Sequence, residues 1–299
     1  MQEQRLIIIS IAVTFFFSVL GIVWGILADS SMITFDGTYS LISVGLSGLS
    51  LVVLKLVAQS SDSVNSKFPF GKAHFEPMLI VFKSLTLIGM CAYSSAGAVS
   101  DIISGGAPVD PGPAILYAGI STIGCAIIAF LLRERNRQIG SAILEAEKNQ
   151  WVGDLLLSLG VLAGFTAALL LKNTQWGVFV DYADPVMVLV ASNLFIFLPL
   201  KSMLAAGKEM MLVKTNNELR IPIEIVAAEY AQRLNATYKL RMVSIGRELN
   251  IELNFIMPPN DALTVKDMDT IRSDIAKVAD TLKSKHWINV SFTSDPAWA

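Results

Sequence analysis

Histidine is almost missing from this chain: His74 and His286 are the only two among 299 residues. An imidazole-rich zinc centre is excluded, because such a site needs several nitrogen or thiolate ligands. Cysteine is equally scarce. Cys91 and Cys125 each lie inside an apolar run, so they read as small core residues, not as a disulfide or a metal pair. Charged residues make up 16%, with a net charge of −2 and a pI near 5.8, which leaves no basic surface for nucleic acid. A phosphate-binding loop is absent as well: Gly105-Gly106 has no strand before it and no Lys-Ser or Lys-Thr after it. Nucleotide-driven activity is therefore not expected. The first apolar run lacks a small-residue cleavage pattern and is followed directly by Asp29-Ser30-Ser31. It reads as a retained span, not as a signal peptide.

What is present is apolar. Hydrophobic residues reach 53% and mean hydropathy is +0.57, too high for a soluble domain of this size. Six stretches, near 6–28, 32–58, 78–103, 112–132, 149–171 and 183–205, approach or exceed the ~20 residues of a spanning helix. Basic residues cluster in alternate connections. Arg5, Lys67, Lys72, Arg133, Arg135, Arg137, Lys148, Lys201 and Lys208 fall on one side, and Lys172 stands alone on the other. The expectation is a multi-pass protein of the cell membrane, a bacterial inner membrane on this reading, with both termini cytoplasmic.

From about Glu209 the composition changes. Ile221–Leu234 predicts an amphipathic helix, Tyr238–Ile245 and Glu248–Ile256 two strands around Gly246, Val265–Leu282 a helix and Trp287–Thr293 a strand. This α-β-β-α-β order predicts a small α+β domain over 209–299, behind a transmembrane domain over 1–208.

The second apolar run carries a polar seam. Asp36, Tyr39, Ser40, Ser43, Ser47 and Ser50 fall on one helix face. A carboxylate in a spanning helix costs roughly 2.5–3.5 kcal/mol on insertion scales, so it marks a bundle interior or a water-filled path. The fifth run repeats the device with Gln150, Asp154 and Ser158, four residues apart, and with Gly153 and Gly160 permitting close helix approach. At ~1.5 Å per residue, Ser43 and Asp154 reach nearly the same depth, and Asp36 lies about 10 Å from Ser43.

Several phrases carry a resemblance: Phe35-Asp36-Gly37-Thr38-Tyr39-Ser40-Leu41-Ile42-Ser43, Phe70-Gly71-Lys72-Ala73-His74-Phe75-Glu76-Pro77, Gln150-x-x-x-Asp154, and Asp184-Pro185. With six spans and a C-terminal domain of ferredoxin-like element order, they resemble the cation diffusion facilitator family over nearly the whole chain. The resemblance implies a secondary transporter, not an enzyme: typically a homodimer in the lipid bilayer that exports a divalent metal ion in exchange for protons. Carried over by position, the metal site consists of Tyr39, Ser43, Gln150 and Asp154, a histidine-free set. A second register pairs Asp36 with Ser40, but it matches the family less well around Gly45 to Leu54. Asp36, Ser40 and Asp184 are then residues of an outer shell or of the ion path.

The departures from the family pattern have consequences. Zinc favours imidazole and thiolate, while a site without either and with one or two carboxylates suits harder ions such as Mn²⁺, Fe²⁺ or Mg²⁺, within a candidate class of Mn²⁺, Fe²⁺, Zn²⁺, Co²⁺ and Mg²⁺. The ion is substrate, and no permanently bound cofactor is expected. Phe68 and Lys72 stand where relatives can carry a second metal site, and His74 replaces a basic residue. Thr293, Asp295 and His286 do not assemble a regulatory cluster, so the C-terminal domain reads as a dimerisation module. The depleted site also admits a different class of function, a transport-inactive homologue acting as a membrane scaffold or dimer partner.

Overall fold

A computed structural model describes residues 2–58, 68, 71–139, 142–246, 248–259, 263–282 and 285–299. Lys67, Phe70, Asn260 and Asp261 lie outside the described residues. Six long helices come first: α1 (Gln2–Leu27), α2 (Ser31–Ala58), α3 (Phe75–Ile103), α4 (Pro111–Ile139), α5 (Ala142–Leu171) and α6 (Ala183–Met210). The segments Arg5–Leu27, Ser31–Val57, Phe75–Ile103, Pro111–Gln138, Glu147–Leu171 and Gly177–Met210 are each long and apolar enough to cross a membrane, as the sequence predicts. Their outward residues, such as Phe15, Phe16, Ile123, Ile127 and Phe130, are exposed. Lipid tails solvate such side chains, while the backbone bonds close within each helix. α4 continues past the expected end near 132 because its charged tail still favours a helix, with Glu134 pairing to Arg137 at 3.4 Å.

α1 ends at Leu27, Asp29 turns the chain with a φ of +49°, and α2 starts at Ser31. The first N–H groups of a helix have no intrahelical partner. Here a carboxylate from another helix takes them. Asp184, at the start of α6 and fully buried, accepts from Ser31 N at 2.9 Å, Met32 N at 3.2 Å and Ser30 Oγ at 2.6 Å. Ser30 Oγ in turn accepts from Ile33 N at 3.2 Å. Asp184 thus caps the start of α2 and joins it to α6.

Further along, α1 and α2 touch backbone to backbone. A Cβ on Gly37 would sit 2.6 Å from Ile22 N and 2.8 Å from Ser18 O, so only glycine fits this crossing.

By contacts the chain forms two compact units, Met1–Ser50 with Lys83–Lys201, and Leu51–Phe82 with Ser202–Ala299. The second unit holds α7 (Asn217–Arg233), β1 (Thr237–Ile245), β2 (Glu248–Ile256), α8 (Val265–Leu282) and β3 (Lys285–Thr293). β2 is central, antiparallel to β1 and parallel to β3, which returns through α8. The period-2 stripe Leu249, Ile251, Leu253 and Phe255 is buried, as are Ile223, Ala227 and Ala231 on α7 and Ile271, Ile275 and Ala279 on α8. Each helix thus lays one i, i+4, i+8 face on one sheet face. The expected α-β-β-α-β order is observed.

Two stability predictions follow from these contacts. Asp184→Asn should cost about 1–3 kcal/mol, because N–H donors at the start of α2 lose their carboxylate acceptor; thermal unfolding in detergent reads this as a lowered Tm. Ile275→Ala should cost about 2–5 kcal/mol by opening a cavity under the sheet, and near-ultraviolet circular dichroism should report earlier melting of the second unit.

Candidate functional site

Four helices turn polar faces toward one small cavity of about 30 Å³. α1 contributes Thr14, Phe17 and Ser18, and α2 contributes Asp36, Gly37 and Ser40. α4 supplies Tyr117, Ser121 and Cys125, and α5 supplies Trp151, Asp154 and Ser158. On every helix the spacing is that of a single face. The volume suits one or two waters, or an ion stripped of most of its water, given the ~10–15 Å³ that one water centre needs. Ser121 and Ser158 share a hydrogen bond of 2.9 Å between α4 and α5. Tyr117 Oη donates to Asp36 Oδ2 over a long 3.4 Å, which leaves most of that carboxylate's accepting capacity unused by this bond. A smaller cavity of about 10 Å³ shares Asp36, Tyr117, Ser121 and Ser158, so Asp36 borders both.

Asp36, Ser40 and Asp154 are therefore brought together. Tyr39, Ser43 and Gln150 are not among the lining residues of this cavity. The Tyr39 ring turns to α6, with its centroid 4.7 Å from that of Phe195 and 5.9 Å from that of Phe35. Gln150 is exposed. The pairing the structure brings to the cavity is the second register, Asp36 with Ser40. Cys125, a buried core residue as expected, also lines this cavity and brings a sulfur to its wall. Its place in an apolar run hid that α4 turns this face to α5.

Thr14, Ser18, Tyr117 and Ser121 were missed by sequence reasoning. Their signal was present as i, i+4 spacing on α1 and α4, too short a pattern to separate from ordinary helix packing. Lys83 was also passed over. It lies within α3, and its Nζ donates to Ser50 Oγ at 3.1 Å, at the end of the α2 seam.

At the end where α2 begins, an open pocket of about 700 Å³ is lined by Asp29, Ser30, Thr34, Phe35, Thr38 and Asp101, with others from α3 and α6. The accessory positions show no assembled centre. His74 packs against Phe75 with centroids 4.6 Å apart, and Lys72 lies over the Phe68 ring at 5.6 Å. His286 Nδ1 is 3.5 Å from Asp280. Asp295 caps a short 3₁₀ turn through Ala297 N at 2.9 Å, with Thr293 bonded to its backbone. Among the described residues no group of three or more His, Cys, Asp or Glu side chains is arranged to hold a metal. The cavity wall presents two carboxylates, several hydroxyls and one thiol.

A family model described as the cation efflux transmembrane domain matches residues 7–211. No curated protein matches the chain.

Proposed function

The chain belongs to the cation efflux family, and from that premise we propose that it exports a divalent metal cation in exchange for protons. That it is a multi-pass membrane protein of a cation-transporting family follows from the family match and the six spans. The finer reading rests on one observation: Asp36 and Asp154, on two different spanning helices, border the same cavity of about 30 Å³. Carboxylates are costly in a spanning helix and persist where they meet ions or protons. Two carboxylates balance one divalent cation, and Ser40, Ser18 and Thr14 offer neutral oxygens beside them.

The donor set selects among ions. Oxygen ligands favour Mn²⁺, Fe²⁺ and Mg²⁺, while the Cys125 sulfur extends the range toward Co²⁺ and Zn²⁺. A proton and a cation compete for the same carboxylate oxygens, which gives a direct route to exchange. Tyr39, Ser43 and Gln150 then act around the site and not as its ligands. Access alternates as one group of helices rocks against another. The basic connections lie on the cytoplasmic side, with both termini. The second compact unit, with its sheet and two helices, serves as the dimerisation module of a homodimer.

Proteoliposomes loaded with a metal-sensitive dye test this. Uptake of at least one of Mn²⁺, Fe²⁺, Co²⁺, Zn²⁺ and Mg²⁺ should follow an imposed pH gradient, and Asp154→Ala should abolish it. Asp36→Ala should lower flux about tenfold or more, equivalent to ~1.4 kcal/mol of lost ion stabilisation, because Asp36 shares the cavity. The sequence alone assigns Asp36 a smaller effect. Flux that persists in Asp154→Ala would remove the cavity from the mechanism. A wild type that carries none of the five ions would favour the scaffold reading.

A further inference from the structure

Two polar tracks lead from the level of the cavity toward the membrane face at which α1 begins. The first is the α2 seam. Its last member, Ser50, donates to Leu46 O at 3.0 Å and accepts from Lys83 Nζ at 3.1 Å. An ammonium group within the spanning segment of α3 stands beside that track, where low dielectric strengthens its repulsion of a divalent cation.

The second track runs between α1 and α5. Ser10, Thr14 and Ser18 recur every fourth residue on α1, and the last two line the cavity. Ser10 is 1% exposed. Its hydroxyl donates to Glu147 Oε2 at 2.7 Å and accepts from Trp151 Nε1 at 2.7 Å. Trp151 is 4% exposed and forms part of the cavity wall. One hydroxyl, used as both donor and acceptor, thus joins the wall of the cavity to a carboxylate at the start of the α5 span.

We propose that cations move between the cavity and this face along α1 and α5, with Glu147 as the carboxylate that receives them and the Trp151–Ser10–Glu147 chain as the latch that holds the cavity shut. The proposal rests on the reading of the cavity as the transport site. A cation at Glu147 competes with the Ser10 hydroxyl for Oε2. Once Ser10 turns away, the Trp151 indole loses its acceptor and is free to swing out of the wall. Arrival of the substrate therefore opens the way to the cavity, and the opposite sign of Lys83 excludes the α2 seam as the route.

The test uses the full chain in oriented proteoliposomes, with Cys91→Ala so that Cys125 is the only thiol. Two quantities are measured: modification of Cys125 by a membrane-impermeant thiol reagent applied at the α1-start face, and flux of Mn²⁺ and Zn²⁺. Trp151→Phe, which keeps a ring and removes the N–H, and Ser10→Ala should each raise the labelling rate about fivefold, the effect of one lost hydrogen bond. Glu147→Gln should lower flux about tenfold through loss of local attraction, and Glu147→Asp should restore part of it. Lys83→Gln should leave flux within about twofold of wild type, since the α1–α5 route through Glu147 stays intact. Unchanged labelling in both latch variants would overturn the latch. A larger loss of flux in Lys83→Gln than in Glu147→Gln would overturn the route. Labelling requires no transport, so a wild type without flux defeats the transport reading while Cys125 access still judges the latch.

Discussion

At the start of α2, the first backbone N–H groups have no earlier turn to accept them. One carboxylate, Asp184, takes two of them together with the Ser30 hydroxyl. In a bilayer such groups must be satisfied internally, at a cost of several kcal/mol for each one left alone. This single cluster fixes the height at which α2 begins and ties it to α6. The glycine contact at Gly37 then fixes how closely α2 lies on α1. With position and distance set, Asp36 and Ser40 have one place to go, the cavity bordered by α4 and α5. The site is thus a consequence of how one helix is held at its first turn.

Polar groups elsewhere in the bundle obey the same constraint. Hydroxyls along α1 return to their own helix, Thr14 to Ser10 O at 2.9 Å and Ser18 to Thr14 O at 2.7 Å, so they can face the interior without leaving a donor unpaired. Ser121 and Ser158 satisfy each other. Against this quiet background, Asp36 and Asp154 stand out. Placing carboxylates within spanning segments serves no packing purpose that an apolar side chain would not serve better, and that is why they mark the candidate site.

Much of this was legible in the sequence, and the legible part follows from periodicity. Spans were visible because a ~30 Å layer demands about 20 apolar residues. The strand Glu248–Ile256 was placed with the bounds it has, because Leu249, Ile251, Leu253 and Phe255 alternate. Azimuth was harder. At about 100° per residue, the seam of α2 spreads Tyr39 and Ser40 to opposite edges of one stripe. A stripe that wide meets two neighbours. The Tyr39 edge meets Phe195 of α6, and the Asp36 and Ser40 edge meets the cavity. Depth arithmetic favoured Ser43 because it measures height alone. The pairing of Ser10 with Glu147 was invisible for a related reason: it joins residues 137 positions apart, and nothing in either local pattern names the other.

The two openings constrain how the molecule can move. Phe35 lines the wide pocket at the start of α2, and the next residue, Asp36, lines the closed cavities. Turning α2 alone by about one residue step, ~100°, would exchange them, but that would tear its first turn from Asp184 and replace Gly37 with a side chain at the close contact with α1. The cheaper motion carries the joined ends of α1, α2 and α6 together, away from α4 and α5, which stay linked through Ser121 and Ser158. Among the side-chain bonds that cross this division, Tyr117 to Asp36 is long at 3.4 Å. Those of Ser10 to Glu147 and Trp151 are short at 2.7 Å, and at the end where α2 begins Trp24 Nε1 donates to Pro113 O at 2.9 Å. Separation therefore meets least resistance beside Asp36, and it is held on either side of that level, by Trp24 toward the wide pocket and by Ser10 toward the opposite face.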